Sequence, residues 1–251
     1  PRRAASRNAK ASPTATASPC VKRSNAPAAS TPCPKRLGDT ECVKVLDLAC
    51  GQGVLSRALP VTAEYWGVDL AEDLLGAARK HDPRPTRRFI HGDACGPLPF
   101  DDADFTHAAC VLALQNVERP EALVATAAAH LAPGGRFVMA LNHPCFRIPK
   151  QSSWGEDLRQ RIRFRRMDRY LSRQRIAIKM NPSLGDKSPE TWSFHAPLSD
   201  VFGWFRQAGL YVEGLEEWVS NKRSTGPASV MENRARAEFP LFLCIAAIKP
   251  R

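Results

Sequence analysis

From Glu41 onward, short apolar runs alternate with segments whose apolar residues recur at helical spacing. Val43–Leu48 reads as a buried strand, followed by a helix near Val54–Leu59. Ala63–Val68 reads as strand two, ending in Asp69, with a helix at Ala71–His81; Arg88–His91 is strand three. Phe105–Leu112 is strand four, with a helix from Pro120 to Leu131 that Pro133-Gly134-Gly135 stops, and Arg136–Leu141 is strand five. Five strands joined by helical connections of about 10–15 residues predict an α/β fold with a doubly wound parallel sheet. A helix at Pro197–Ala208 then leads to a strand at Tyr211–Trp218, and Phe239–Lys249 reads as a last, nearly all-apolar strand. No helix is read between those two strands, so they are expected to pair antiparallel. Residues Asn142–Thr191 form an insertion with alternating segments at Ile162/Phe164 and Ile176/Ile178, read as a basic cap over the C-terminal edge of the sheet.

Composition adds a boundary. Of the net charge of +11, residues 1–40 contribute +7, from eight Lys/Arg against one Asp. This stretch is rich in Pro, Ala, Ser and Thr and cannot bury enough apolar surface to offset its ordering entropy, so it is read as a disordered basic tail. An organelle transit peptide and a nucleic-acid-binding arm are its alternatives, though its prolines argue against the amphipathic helix a transit peptide needs. Residues 41–251 are then the folded domain. The eight cysteines are scattered, with no C-x-x-C and no His at zinc spacing, so reduced thiols and no metal are expected, and a cytoplasmic location with them. No apolar run approaches the ~18–20 residues that span a bilayer.

The chemistry is densest at Val45-Leu46-Asp47-Leu48-Ala49-Cys50-Gly51-Gln52-Gly53: a buried strand, a tight loop and a helix start in succession. The loop lacks the Lys-Ser/Thr of a phosphate loop. It also lacks the third glycine of a dinucleotide fingerprint, with Ser56 and Arg57 where close approach would be needed. It suits a ligand with a small zwitterionic end. Three acids, Asp47, Asp69 and Asp93, close three successive strands. A carboxylate at Asp69 can accept from both vicinal hydroxyls of a nucleoside. Asp93 can accept from an adenine amino group while the Ala94 N–H faces a ring nitrogen. Asp47 and the Cys110 carbonyl suit an ammonium, and the N–H groups around Gly51 suit a carboxylate. Ala49 and Leu70 lie beside these acids in the same two loops. The ribose-binding acid of an NAD enzyme is the rival reading of Asp69, and the glycine pattern argues against it.

These residues resemble motif I and its companion acids in the class I S-adenosylmethionine (SAM)-dependent methyltransferases, of the type 11 methyltransferase domain. The resemblance covers roughly residues 43–142. Beyond it, the NHPCFRIP, SFHAPLSDVFGWF and LEEW segments are similar to a bacterial, small-molecule-type group. The resemblance implies a Rossmann-like seven-stranded sheet in the order 3-2-1-4-5-7-6 with the last strand antiparallel, SAM as cofactor, and the donor roles above for Asp47, Ala49, Gly51, Gly53, Asp69, Leu70, Asp93, Ala94 and Cys110. Two departures stand out. The helices that usually precede strand one are replaced by the basic tail, and Thr106 stands where an acid is common.

Methyl transfer from a sulfonium mainly needs alignment and exclusion of water, with a general base for a hydroxyl or protonated amine. His143, just after strand five, and His195, before the last long helix, are the candidate catalytic bases, each with a structural hydrogen-bonding role as its alternative. Asn142-His143-Pro144-Cys145-Phe146 resembles the (N/D)PP(Y/F) motif of amino-methyltransferases, but it follows strand five rather than strand four, so that role is not transferred. Gln115, Asn142, Trp154, Arg165 and Arg166 are the candidate substrate contacts. Arg159–Lys179 carries nine Lys/Arg against one Asp, which suits an anionic substrate or, alternatively, a solvated face paired with Glu216, Glu217 and Glu232. The reading is a SAM-dependent methyltransferase for a small anionic or aromatic acceptor, with no membrane partner. An RNA methyltransferase and a non-catalytic binding module of the same fold stay open.

Overall fold

The computed structural model describes residues 43–179 and 182–251; the basic tail at 1–40 lies outside the described residues. The first half alternates as its periodicity predicts: β1 (Lys44–Leu48), α1 (Val54–Ala58), β2 (Glu64–Asp69), α2 (Glu72–His81), β3 (Arg87–His91), β4 (Phe105–Val111), α3 (Pro120–His130) and β5 (Leu131–Asn142). β5 begins five residues earlier than the sequence suggested, because the Pro133-Gly134-Gly135 turn is paired into the sheet. Gly134 (φ +83°) donates its N–H to Lys249 at 2.8 Å.

β1 through β5 are parallel and stand in the order 3-2-1-4-5, and β11 (Phe242–Ile248) and β10 (Tyr211–Trp218) complete a seven-stranded sheet. β11 runs antiparallel to both β5 and β10. The expected order and antiparallel finish are met, but a helix does separate the last two strands. α5 (Ser229–Glu238) buries only Ala235, so it has no apolar stripe to announce it. An ion pair from Arg163 to Glu232 at 3.1 Å ties it to the insertion. Both sheet faces are covered, as parallel strands require. On one face Leu46, Leu48, Phe105 and Phe137 pack with α3 and with Val201, Trp204 and Phe205 of α4 (Leu198–Gln207). On the other, Val45, Tyr65 and Phe89 pack with Leu55 of α1 and Leu75 and Ala78 of α2.

The insertion forms two antiparallel hairpins, β6 (Ser152–Asp157) with β7 (Ile162–Met167), and β8 (Gln174–Lys179) with β9 (Glu190–His195), so it extends four residues past Thr191. Thr106 serves the sheet: its hydroxyl accepts the Lys44 N–H at 2.9 Å, at the N-terminal edge of β1 and β4. Among the described residues no helix is long and apolar enough to cross a membrane.

Candidate functional site

The loop after β1 turns the chain back through three left-handed residues, Ala49 (φ +58°), Gly51 (φ +54°) and Gly53 (φ +65°). The two glycines are required for different reasons. A Cβ on Gly53 would meet the Phe89 ring at 2.8 Å and the Ala78 Cβ at 3.3 Å, so this position lets α1 close onto β3 and α2. A Cβ on Gly51 would meet nothing within 4 Å; that side of the loop is open. Gly51 thus faces open space and Gly53 the core.

Asp69 braces this loop. Its Oδ2 accepts from the Gly51 N–H at 2.8 Å and its Oδ1 from the Ala71 N–H at 2.9 Å, leaving further acceptor capacity on each oxygen. The Gly51 N–H, expected to be available to a ligand carboxylate, is therefore already engaged. Leu70, next in the chain, is 56% exposed beside it. Asp93 lies two residues past β3, with Oδ1 accepting from Cys95 N at 2.8 Å and Oδ2 3.3 Å from Arg119 in an exposed pair; Ala94 beside it is buried.

Asp47 is the unusual acid. It is 2% exposed; Oδ2 accepts from the Tyr65 hydroxyl at 2.7 Å, while Oδ1 is buried with no partner. Burial, with the nearby Asp69 charge, pushes its carboxyl up to about 7 against the Tyr65 hydrogen bond. A buried carboxylate oxygen without a donor is costly, and a cationic donor would satisfy it. The β1–β4 pairing stops at Asp47 and Ala109, so Cys110 lies where the strands part. That parting is the switch point of the sheet, where open α/β folds bind ligands. The Cys110 side chain is fully buried, which raises its thiol to about 12.

Across the switch point, over the ends of β4 and β5, lies a cleft of about 310 Å³. Gln115, Asn142 and His195 line it, with Leu114, Leu141 and Trp204 as apolar walls. Gln115 Nε2 donates to Leu112 O at 2.6 Å and Oε1 is buried without a partner. His195 is held by a 2.7 Å hydrogen bond from Nε2 to the Tyr170 carbonyl; a carbonyl only accepts, so Nε2 carries the proton and Nδ1 keeps its lone pair. Burial lowers the His195 pKa, which keeps the ring neutral.

The other sequence candidates are placed elsewhere. His143 uses both nitrogens on protein partners, Nε2 on Glu217 at 2.7 Å and Nδ1 on the Cys145 N–H at 3.1 Å, so it carries the structural alternative. Burial lowers its pKa against the pull of Glu217. Trp154, Arg165 and Arg166 lie outside the lining of this cleft. Trp154 packs edge-on to Phe239 between the Arg163 and Arg165 guanidinium groups. Arg165 donates to the Phe146 carbonyl and the Ser152 hydroxyl, and Arg166 pairs with Asp168. Much of the arginine run is thus a paired face: Arg163 with Glu156 and Glu232, Arg173 with Asp200, Lys179 with Asp186. Of the acids named for that face, Glu217 instead holds His143 and Glu216 accepts from the Trp218 indole. Arg147 was not anticipated: it lines the cleft, and only its place as a lone cation in the run Pro144-Cys145-Phe146-Arg147-Ile148-Pro149 signals it.

A seven-stranded sheet in this order, with a glycine loop and three acids at the ends of β1 to β3, is the arrangement of the class I SAM-dependent methyltransferases, which the chain resembles in fold and in this loop. Residues 46–139 match the family model described as a methyltransferase domain. Over 125 residues the chain is 34% identical to a demethylmenaquinone methyltransferase of Staphylococcus aureus, covering 47% of this chain and 51% of that protein. The chain thus spans about half the length of that relative. The crystal structure of a SAM-dependent methyltransferase from Mesorhizobium loti superposes with a TM-score of 0.68 at 26% identity, covering 88% of this chain and 98% of that one. A Listeria monocytogenes structure, 21% identical with a TM-score of 0.63 over 83% of this chain and 92% of its own, shares the fold.

Proposed function

We propose that the chain transfers a methyl group from SAM to an O–H or N–H group of a small acceptor. The carrying observation is the buried, unpartnered Asp47 Oδ1 at the switch point, beside the open face of Gly51. These residues fit a donor whose amino-acid end bears an ammonium. Asp47 would hold that ammonium, Asp69 the ribose hydroxyls, and Asp93 with Ala94 the adenine edge. Leu70 offers an exposed apolar surface for the adenine ring. Bound there, SAM supplies a methyl on a sulfonium, which passes to the acceptor oxygen or nitrogen as S-adenosylhomocysteine leaves. The acceptor lies in the cleft over β4 and β5, oriented by Gln115 and Asn142. His195 Nδ1 takes the proton the acceptor gives up, and burial of the ring favours the neutral form this requires.

The relative's name attaches to a quinone acceptor, but the family match ends at Met139, before most of the cleft lining, so it bears on the donor half. The acceptor class rests on the cleft itself. A thermal shift with SAM and S-adenosylhomocysteine, using NAD and ATP as controls, tests the donor reading. At 100 times its dissociation constant a ligand adds ~2.7 kcal/mol, or a rise of about 5–11 °C for a domain of this size. A rise with the sulfur nucleosides alone is expected; equal shifts with NAD or ATP, or none with SAM, would reject it.

A further inference from the structure

We infer that Arg147 is the anion anchor of the cleft, and that the acceptor is a small carboxylic acid carrying its nucleophilic O–H or N–H away from the carboxylate. This rests on the methyltransferase reading for what happens to the acceptor, but not for how the acceptor is held.

Arg147 follows β5 in a turn fixed by its N–H to the His143 carbonyl at 2.8 Å. Its guanidinium is half-buried and stacks over the Phe242 ring of β11 at 4.9 Å. Among the described residues no carboxylate lies within 4 Å of it, whereas Arg173 at the cleft mouth has Asp200 at 2.5 Å. Glu118 and Glu121 also line the cleft but are exposed and unpaired with Arg147. A half-buried cation with no counter-ion is an unfavourable element of a fold, and an aromatic face offsets only part of the cost. Arg165 lies close enough to add to the positive potential, and burial holds both guanidinium groups below their usual pKa. The same cleft lining holds two acceptors without protein donors, Gln115 Oε1 and His195 Nδ1. Arg173 and Arg175 of the same lining are exposed, so Arg147 is its half-buried cation, and with the two acceptors it complements a ligand with one anionic group and a hydrogen-bond donor. The planar guanidinium fork favours a carboxylate.

The test is calorimetric titration of the S-adenosylhomocysteine-loaded full chain with benzoate, 4-hydroxybenzoate and indole-3-acetate, and with the neutral amide of each. The variants are Arg147→Gln, Arg147→Lys and, as an exposed cationic control in the same lining, Arg175→Gln. Saturable binding of at least one carboxylate to the wild type is expected, with its amide much weaker. Arg147→Gln should weaken that carboxylate roughly 30-fold or more, Arg147→Lys less, and Arg175→Gln under about threefold. The melting rise with S-adenosylhomocysteine should be unchanged in every variant; its absence in the wild type would count against the donor reading alone. Absence of carboxylate binding to the wild type, amides that bind equally well, or equal losses in Arg147→Gln and Arg175→Gln would overturn the assignment.

Discussion

Asp69 is the side chain on which the proposed donor site turns, because the carboxylate that braces the glycine loop is also the one proposed to meet the donor. Its contacts to the Gly51 and Ala71 N–H groups fix it at the end of β2, and the proposed function gives it the ribose hydroxyls. Asp69→Ala should weaken SAM by about 1.5–3 kcal/mol, the scale of a lost charged hydrogen bond. Unchanged affinity in a folded variant would remove Asp69 from the site. The histidines differ by geometry, not by sequence. Both precede or follow a regular element, and nothing in their neighbours reveals that His143 spends both nitrogens on Glu217 and Cys145 while His195 spends one on Tyr170. With an identified acceptor and labelled SAM, His195→Gln should lower kcat by about 10²–10⁴ while leaving the donor dissociation constant unchanged. A kcat within threefold of wild type would assign the proton to water or to another group.

The loop after β1 was legible because its chemistry is local. A strand, glycines at alternate positions and a helix start lie within ten residues. The division of labour between the glycines was not legible, since it depends on Phe89 and Ala78, which arrive from β3 and α2. Two substitutions separate the roles. Gly53→Ala forces a Cβ to 2.8 Å from the Phe89 ring at φ +65° and should cost about 1–3 kcal/mol of stability by denaturant unfolding. Gly51→Ala has free space in the unliganded protein and should cost about 1 kcal/mol, but it should weaken SAM more than tenfold by filling the face left open to the ligand. Equal losses of stability, or intact donor binding in Gly51→Ala, would contradict this. The hairpins of the insertion were only half legible. β7 and β8 alternate, but the pairing that carries Trp154 and Arg165 away from the cleft is set by contacts with Phe239, Phe146 and Ser152. α5 was missed for the opposite reason: it buries almost nothing.

The parallel sheet was readable from the alternation of strand and helix, and its strand order from the family resemblance alone. The reason given for the antiparallel finish was wrong, though the pairing is right: β11 runs against β5 and β10 despite the helix that precedes it. What the assembled fold adds is the electrostatics of the switch point. Only the packed sheet buries Asp47 against Tyr65 and near Asp69, taking its pKa from 3.8 to about 7. Between those values the folded chain binds more protons than the unfolded one, so this group makes stability fall as pH rises. Ionising it costs on the order of 4 kcal/mol at about 1.4 kcal/mol per unit. An ammonium held by Asp47 reverses the balance, because it favours the carboxylate and expels the proton.

The most direct measurement is therefore calorimetric titration of SAM into the wild type and Asp47→Asn at pH 6 and pH 8, in buffers of differing ionisation enthalpy. The wild type should bind more weakly at pH 6, by about tenfold per unit below 7, and release about one proton there and almost none at pH 8. Asp47→Asn should bind weakly at both and release none. Tight binding with no proton release at pH 6, the same in both proteins, would contradict a donor site built on Asp47.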